Sequence, residues 1–298
     1  MDLVLTLITA PNSGALTHDM INEATAALTQ AGARVGDTSW LAQNEACDIA
    51  FENITLEEAE KALGNCVFSA DKVVQKAAGR AKKLLIADMD STMVTGETLD
   101  ELADFAGVKD RVAAITARAM NGELDFEEAI DERVGLLAGM STAMLDEAWK
   151  RIEYTGGARV LVATMRANGA YAALVSGGFD FFTSAVRQDL GFDFDQANVL
   201  LTNDDNTLTG KVQKPVLDRQ AKVDALEMLA AQNGITARDA IAVGDGANDL
   251  QMISIAGTGV AFHAKPSVQK QARIRINHGD LTALLYLQGY ARDQFVGG

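Results

Sequence analysis

The chain has 298 residues, 48% of them hydrophobic, which is enough for a sizeable core and long for one domain. Its 26 basic residues stand against 41 acidic ones, a formal charge of -15, and this excludes sequence-independent nucleic-acid binding, which needs a basic surface. The same charge does not favour an anionic substrate, so a site for one has to be made positive locally.

From the amino end, Leu3-Val4-Leu5-Thr6-Leu7-Ile8 reads as a strand, residues 18–30 as a helical run, and residues 35–41 and 48–51 as two more strands. A helix over 56–63 and a strand over 72–75 complete a β-α-β-β-α-β order, which is ferredoxin-like. Over residues 1–78 this pattern resembles an ACT-type regulatory domain, and the resemblance implies amino-acid sensing or homodimerisation. The turn Pro11-Asn12-Ser13-Gly14 has a glycine that suits a ligand loop and equally an ordinary turn. Residues 77–82 read as a linker.

Leu84-Leu85-Ile86-Ala87 is a continuous apolar run of strand length, as expected of a strand covered on both faces in a parallel sheet. It delivers Asp88 and Asp90 to the crevice beyond the strand ends, where open α/β sheets bind ligands, and strand alternation puts the two acids on one side. Neighbouring carboxylates there repel, and a hard cation or a retained proton relieves them. Either remedy suits phosphoryl transfer. Alone, Asp-x-Asp also fits a turn or helix cap at a strand-to-helix junction, whereas the longer Asp88-Met89-Asp90-Ser91-Thr92 is more specific.

Residues 97–155 are rich in helix formers, with Leu99, Leu102, Ala103 and Phe105 at helical spacing. A strand from Tyr171 then ends in Ser176-Gly177-Gly178; Ser176 Oγ and the Gly177 N–H suit phosphate oxygens, and a serine there also suits a helix N-cap. Residues 198–202 and 207–212 read as a hairpin beside this segment, without chemistry of its own. Lys222 opens a helical pattern over 220–226 and is either a point charge for phosphate or a surface lysine. A last apolar strand runs into Gly244-Asp245-Gly246-Ala247-Asn248-Asp249, whose glycines permit close backbone approach. Magnesium prefers few carboxylates, so Asp88, Asp245 and the main-chain carbonyl of Asp90 make a half-shell for Mg2+.

The order Asp-x-Asp-Ser-Thr, Ser-Gly-Gly, Lys, Gly-Asp-Gly-x-Asn-Asp resembles the haloacid dehalogenase superfamily of aspartyl-phosphate phosphatases, and within it the phosphoserine phosphatases, over about residues 80–290. The resemblance implies an α/β fold: a Rossmann-like parallel-sheet core within residues 79–298, carrying 97–155 as an inserted helical cap. It implies Mg2+-dependent hydrolysis of O-phospho-L-serine, the last step of serine biosynthesis. Asp88 would be the nucleophile and form an aspartyl-phosphate. Asp90 would protonate the leaving serine oxygen and then take a proton from the attacking water. Asp88, the Asp90 carbonyl and Asp245 would hold the metal. Lys222, Ser176 and Gly177 would fix the phosphoryl oxygens. Asn248 would lie near substrate, and Asp249 would orient the lysine and a water on the metal.

Phosphoserine adds an ammonium and a carboxylate to the phosphate, and a specific pocket needs an anion and a cation for them. Glu97 and Arg133 fall where the family clamps those two groups, and Met120 and Phe126 where it places an apolar lid. Taken singly, Glu97 also reads as a first-turn acid, Arg133 as an intrahelical partner of nearby acids, and Met120 and Phe126 as core.

Cys47 and Cys66 lack metal-ligand spacing and read as buried, reduced thiols of a cytoplasmic protein. No run approaches membrane-spanning length and no signal peptide is evident. His18, His263 and His278 are scattered, against a histidine metal site or a Ser-His-Asp triad. The same core would serve transfer to another acceptor alcohol, or hydrolysis of phosphothreonine or phosphohomoserine. A sensor with a silent catalytic fold is the reading from another class, and the intact Asp88, Asp90, Lys222 and Asp245 argue against it.

Overall fold

The computed structural model describes residues 1–119 and 123–298, and of residue 120 the backbone alone. The first part of the chain is β1 (Leu3–Ile8), α1 (His18–Gln30), β2 (Arg34–Ala42), β3 (Ala46–Glu52), α2 (Leu56–Leu63) and β4 (Asp71–Lys76), an antiparallel sheet in the order β2-β3-β1-β4. This is the ferredoxin-like arrangement. Both helices start at threonines: Thr17 accepts the Met20 N–H, and Thr55 forms a capping box with Glu58. β1 is buried at every position because both faces of its sheet are covered. Leu3, Leu5 and Leu7 pack under the helices with Leu28, Ile49 and Phe51, while Ile8, Ala46 and Val73 join the core of the second part.

That part begins with β5 (Leu84–Ala87), leaves the sheet through α3 (Thr98–Phe105), α4 (Lys109–Met120), α5 (Phe126–Gly135) and α6 (Ala143–Trp149), and returns by α7 (Ala158–Ala167) to β6 (Tyr171–Phe179). After α8 (Asp180–Leu190) and β7 (Phe194–Asn198) come the hairpin β8 (Leu200–Thr202) and β9 (Leu208–Val212), then α9 (Arg219–Gln232) and β10 (Ala240–Gly244). The chain ends with α10 (Leu250–Ile255), β11 (Thr258–Phe262), α11 (Pro266–Gln269), β12 (Ile274–Ile276) and α12 (Ala283–Leu287). Six parallel strands lie in the order β12-β11-β10-β5-β6-β7. The sheet grows one way from β5 through β6 and β7 and then the other way from β10, so the strand order reverses between β5 and β10, where such sheets bind ligands. Both faces are covered. Leu84 and Ile86 pack on Leu226, Leu229 and Met252, and Leu85 and Ala87 on the opposite core with Leu161, Val162 and Leu284.

The helical insertion crosses to and from the core at one place. Val94 and Tyr154 form an antiparallel bridge, flanked by Thr95 N–H to Glu153 O at 2.8 Å and Thr155 N–H to Met93 O at 3.0 Å. The hairpin β8–β9 was expected beside the Ser176 segment. Its base is there, with Asn198 Nδ2 donating to Gly177 O at 2.9 Å, but Asn198 itself closes β7 and the arms reach the insertion. Leu208 exchanges backbone hydrogen bonds of 2.8 Å with Gly139 and Met140, and Lys214 pairs with Glu127 and Asp131 of α5.

Residues 77–82 are no slack linker. Arg80 pairs with Asp48 of β3 and donates to the carbonyls of Tyr286 and Leu287. Buried Asp71 accepts backbone N–H groups from Asn277, His278 and Gly279, and buried Glu45 takes the Tyr286 hydroxyl and Arg292. Among the described residues no helix is long and apolar enough to cross a membrane.

Candidate active site

β5, β6 and β10 are neighbours in register, Ala87 standing beside Leu174 and Val243, so the residues just past their ends meet although they are far apart in sequence. Asp88 follows β5 with extended backbone and accepts the Met89 N–H on Oδ1 at 2.8 Å. The chain leaves the sheet here, so Asp88 and Asp90 are not alternate positions of one strand as the sequence predicts. Asp90 is extended again and Ser91 takes a φ of 55°, a left-handed turn that carries the chain toward the insertion.

Lys222, in the first turn of α9, is 1% exposed, with Nζ 2.7 Å from Asp88 Oδ1 and 2.6 Å from Asp249 Oδ1. It is therefore not a surface lysine. Asp249 Oδ2 accepts the Gly246 N–H at 2.9 Å, and Asp249 comes this close to β10 because residue 244 is glycine: a Cβ there would lie 2.4 Å from Asp249 Oδ2. Asp245 follows β10 directly, is 6% exposed, and has Lys265 Nζ at 3.8 Å.

Asp88, Asp245 and Asp249 each offer a carboxylate oxygen, all within 4.8 Å of one another. Three acids against the one buried ammonium of Lys222 leave the cluster negative in a water-poor place, and its donors are all hard oxygens, the set that suits Mg2+. The titration behaviour agrees. Burial pushes Asp88 well above the usual carboxylate range and the Asp249 charge adds to it, against Lys222; burial also raises Asp245, to about 6. Burial lowers the Lys222 pKa, but the charges of Asp88 and Asp249 outweigh this and raise it. Asp90 is pushed up to about 7 by burial and then by the Glu97 charge, against the hydrogen bond from Thr98.

Ser176 is 2% exposed at the end of β6 and accepts the Gly178 N–H on Oγ at 2.9 Å. Above it the insertion closes in. The Phe126 ring lies 3.4 Å from where a Cβ of Gly177 would be. Phe126, Arg133, Asn248 and Arg219 line a cavity of about 740 Å³ between insertion and core. Arg133 is half-buried, its Nε donating to Ala129 O at 3.0 Å, and burial lowers its pKa while Glu97 and Asp100 raise it. The intrahelical acids are engaged elsewhere, Glu132 with Arg118 and Glu127 and Asp131 with Lys214. Glu97 accepts a hydrogen bond from Ser91 Oγ at 3.0 Å. The Met120 side chain lies outside the described residues.

Sequence reasoning quoted Ser91 within its first motif without giving it a role, and did not single out Thr98, Arg219 or Lys265. Ser91 and Thr98 flank residues that it did single out, and that adjacency was the available signal.

The profile of the haloacid dehalogenase-like hydrolases matches residues 85–254. A phosphoserine phosphatase of Streptomyces coelicolor is 39% identical over 290 residues, 94% of this chain and 70% of that protein. Among solved structures, a probable phosphoserine phosphatase from Vibrio cholerae covers 98% of this chain and 88% of its own, with TM-score 0.77 and 29% identity. A phospho-aspartyl intermediate analogue of a phosphoserine phosphatase covers 69% of this chain and 98% of its own, with TM-score 0.64 and 42% identity.

Proposed function

Because the chain belongs to the haloacid dehalogenase-like hydrolases, we propose that it hydrolyses O-phospho-L-serine to L-serine and phosphate through an aspartyl-phosphate on Asp88. The observation that carries this is a buried nucleophile-and-ammonium pair, Asp88 and Lys222 at 2.7 Å, with a half-buried arginine in the wall of the cavity that Asn248, next to Asp249, also lines. The relatives named phosphoserine phosphatase and the phospho-aspartyl analogue support both halves of the reading.

Asp88, Asp245 and the Asp90 carbonyl would hold Mg2+, which would lower the repulsion between an anionic nucleophile and an anionic ester. Asp88 attacks phosphorus in line with the serine oxygen. Lys222 holds charge on the phosphoryl oxygens, together with Ser176 Oγ and the Gly177 N–H, and Asp249 keeps the ammonium aimed by its 2.6 Å bond. Asp90, which burial and the Glu97 charge push up to about 7 so that about half of it keeps its proton at neutral pH, donates to the leaving oxygen and then accepts a proton from water. Arg133 takes the substrate carboxylate and Glu97 its ammonium, with Asn248 beside it and Phe126 over it.

On this reading residues 1–78 are an ACT-like unit that senses an amino acid or joins two copies. Residues 79–298 are the phosphatase unit, with 97–155 as its cap. Gel filtration with and without L-serine reads both roles of the first unit. The free, buried thiols Cys47 and Cys66 support a cytoplasmic setting.

Phosphate release from O-phospho-L-serine, phosphothreonine, phosphoethanolamine and a sugar phosphate, with and without Mg2+, tests the function. Strong Mg2+-dependent preference for phosphoserine is expected. Equal turnover of all four removes the Glu97 and Arg133 pocket, and no turnover of any removes the phosphatase.

A further inference from the structure

We propose that Lys214 is the positioning residue of α5, holding Glu127 and Asp131 so that Arg133 on the same helix stands at a fixed distance from the phosphate-binding end of β6. This rests on the reading of Arg133 as the clamp for the substrate carboxylate.

α5 presents two stripes. Phe126, Ala129 and Arg133, at helical spacing, line the cavity. Glu127, Asp131 and Gly135 make the adjacent stripe, which meets β9 and the chain that follows it. At the C-terminal end of the helix the fit is one of shape. Gly210 of β9 has a φ of 77°, and a Cβ there would lie 2.7 Å from Ala138 Cβ and 3.3 Å from Gly135 O. Backbone bonds seal this end: Gly139 N–H to Leu208 O and Leu208 N–H to Met140 O at 2.8 Å, and Thr142 N–H to Asn206 O at 2.9 Å. At the end that begins with Phe126 the fastening is by charge. Lys214 Nζ lies 2.8 Å from Glu127 Oε1 and 2.8 Å from Asp131 Oδ2. Two carboxylates one turn apart repel each other, and Lys214 is the ion-pair partner of both among the described residues. It stands 83 residues after Asp131, so these pairs tie the helix to the core.

The core end of the tie is fixed as well. Val216, Asp218 and Arg219, just beyond Lys214, line the same cavity from the core side. Leu217, between them, is held by Asn198, which is 2% exposed: its Oδ1 accepts the Leu217 N–H at 2.7 Å, and its Nδ2 donates to Leu217 O at 3.3 Å and to Gly177 O at 2.9 Å. Gly177, whose N–H serves the phosphate, and the root of Lys214 thus hang on one buried amide. The path from Gly177 through Asn198 and Lys214 to α5 sets the separation between the phosphate end and the carboxylate end of the site, the length that a phosphoserine has to match. Its exposed joint is Lys214, with a side chain 45% exposed. Exposed ion pairs are weak, and a weak joint suffices where a small displacement of a binding group is costly.

The test measures kcat and KM of the full-length chain with Mg2+ at low ionic strength, where exposed pairs are strongest, on O-phospho-L-serine and on phosphoethanolamine. The variants are Lys214→Met, Lys214→Arg, Arg133→Ala, and Lys214→Met combined with Arg133→Ala. Lys214→Met is expected to raise KM for phosphoserine about three- to tenfold, as much as two exposed ion pairs hold, with kcat within about twofold. It leaves KM for phosphoethanolamine within about twofold and the melting temperature nearly unchanged, and Lys214→Arg restores most of the loss. In the Arg133→Ala chain Lys214→Met adds less than about twofold, because the group that it positions is gone. An unchanged KM with Lys214→Met, an equal rise on both substrates, or full additivity of the two substitutions overturns the inference, while the reading of Arg133 stands so long as Arg133→Ala harms phosphoserine alone. If Arg133→Ala harms both substrates equally, or neither, the clamp reading fails and this inference with it.

Discussion

Arg133 and Glu97 make the sharpest predictions at the scale of single residues. Arg133→Ala removes the guanidinium proposed for the substrate carboxylate, and a hydrogen bond to a charged group contributes about 1.5–3 kcal/mol, or about 10- to 150-fold in kcat/KM. The loss should appear with phosphoserine and not with phosphoethanolamine, which has no carboxylate; equal loss on the two would make Arg133 structural. Glu97 bears on Asp90 through charge. Asp90 has its pKa raised from 3.8 to about 7, so in metal-free protein its contribution to stability is full below the unfolded value and is lost as pH rises through about 7. Glu97→Gln removes one cause of the rise. The melting temperature of metal-free Glu97→Gln should therefore fall less between pH 5 and pH 8 than that of the unaltered chain, and parallel curves would leave burial as the sole cause. Asp88 and Asp245 are legible in the sequence because each ends an apolar strand beside a turn. Lys222 is legible only by its company. The bond from the Thr98 N–H to Asp90 is legible only as adjacency to Glu97, since it depends on a left-handed turn at Ser91 that carries the chain round to meet the Asp90 carboxyl.

Among the elements, β5, β10 and the first half of β6 announce themselves as unbroken apolar runs because they are covered on both faces, and the same physics buries β1 at every position, Thr6 included. β7, Phe-Asp-Gln-Ala-Asn, carries no such signal. It is an edge strand whose Asp195 is satisfied by Thr183, Ser184 and Arg187 of α8, so its polarity reflects a helix partner that single-strand patterning does not contain. The docking of β8–β9 on α5 is likewise invisible to local sequence, as it joins Gly139 to Leu208. At β4, Asp71 gives both carboxylate oxygens to backbone N–H groups at residues 277–279. Asp71→Asn would turn an amide NH2 toward one of those donors and should lower stability by about 1–3 kcal/mol. A reduced urea midpoint with unchanged slope would show it, and an unmoved midpoint would mean that the loop at 277–279 finds other acceptors.

For the molecule as a whole, the ferredoxin-like sheet and the phosphatase core share one hydrophobic cluster, with Ile8, Ala46 and Val73 against Leu285 and Tyr286. Sequence reading foresees two units joined by a linker; it does not foresee that Arg80, through the Tyr286 and Leu287 carbonyls, and Glu45, through Arg292 and the Tyr286 hydroxyl, tie them, because those partners lie near the other end of the sequence. Removing residues 1–78 would uncover fully buried Tyr286 and Leu287. Residues 79–298 alone should then melt lower or aggregate, with dye binding to the exposed apolar face; a soluble fragment of unchanged melting temperature would mean that the shared cluster adds nothing. The insertion is joined to the rest quite differently. Both its strands cross at the Val94–Tyr154 bridge, so its two ends are neighbours, and a short turn between residues 94 and 154 would close the chain there without shifting a strand, while the arms of β8–β9 would lose their support and the core would lose the packing of Leu102, Ile130, Val134 and Trp149. The insertion is thus a graftable cassette: a different helical segment spliced at this one doorway would inherit the aspartate chemistry below and bring its own choice of alcohol.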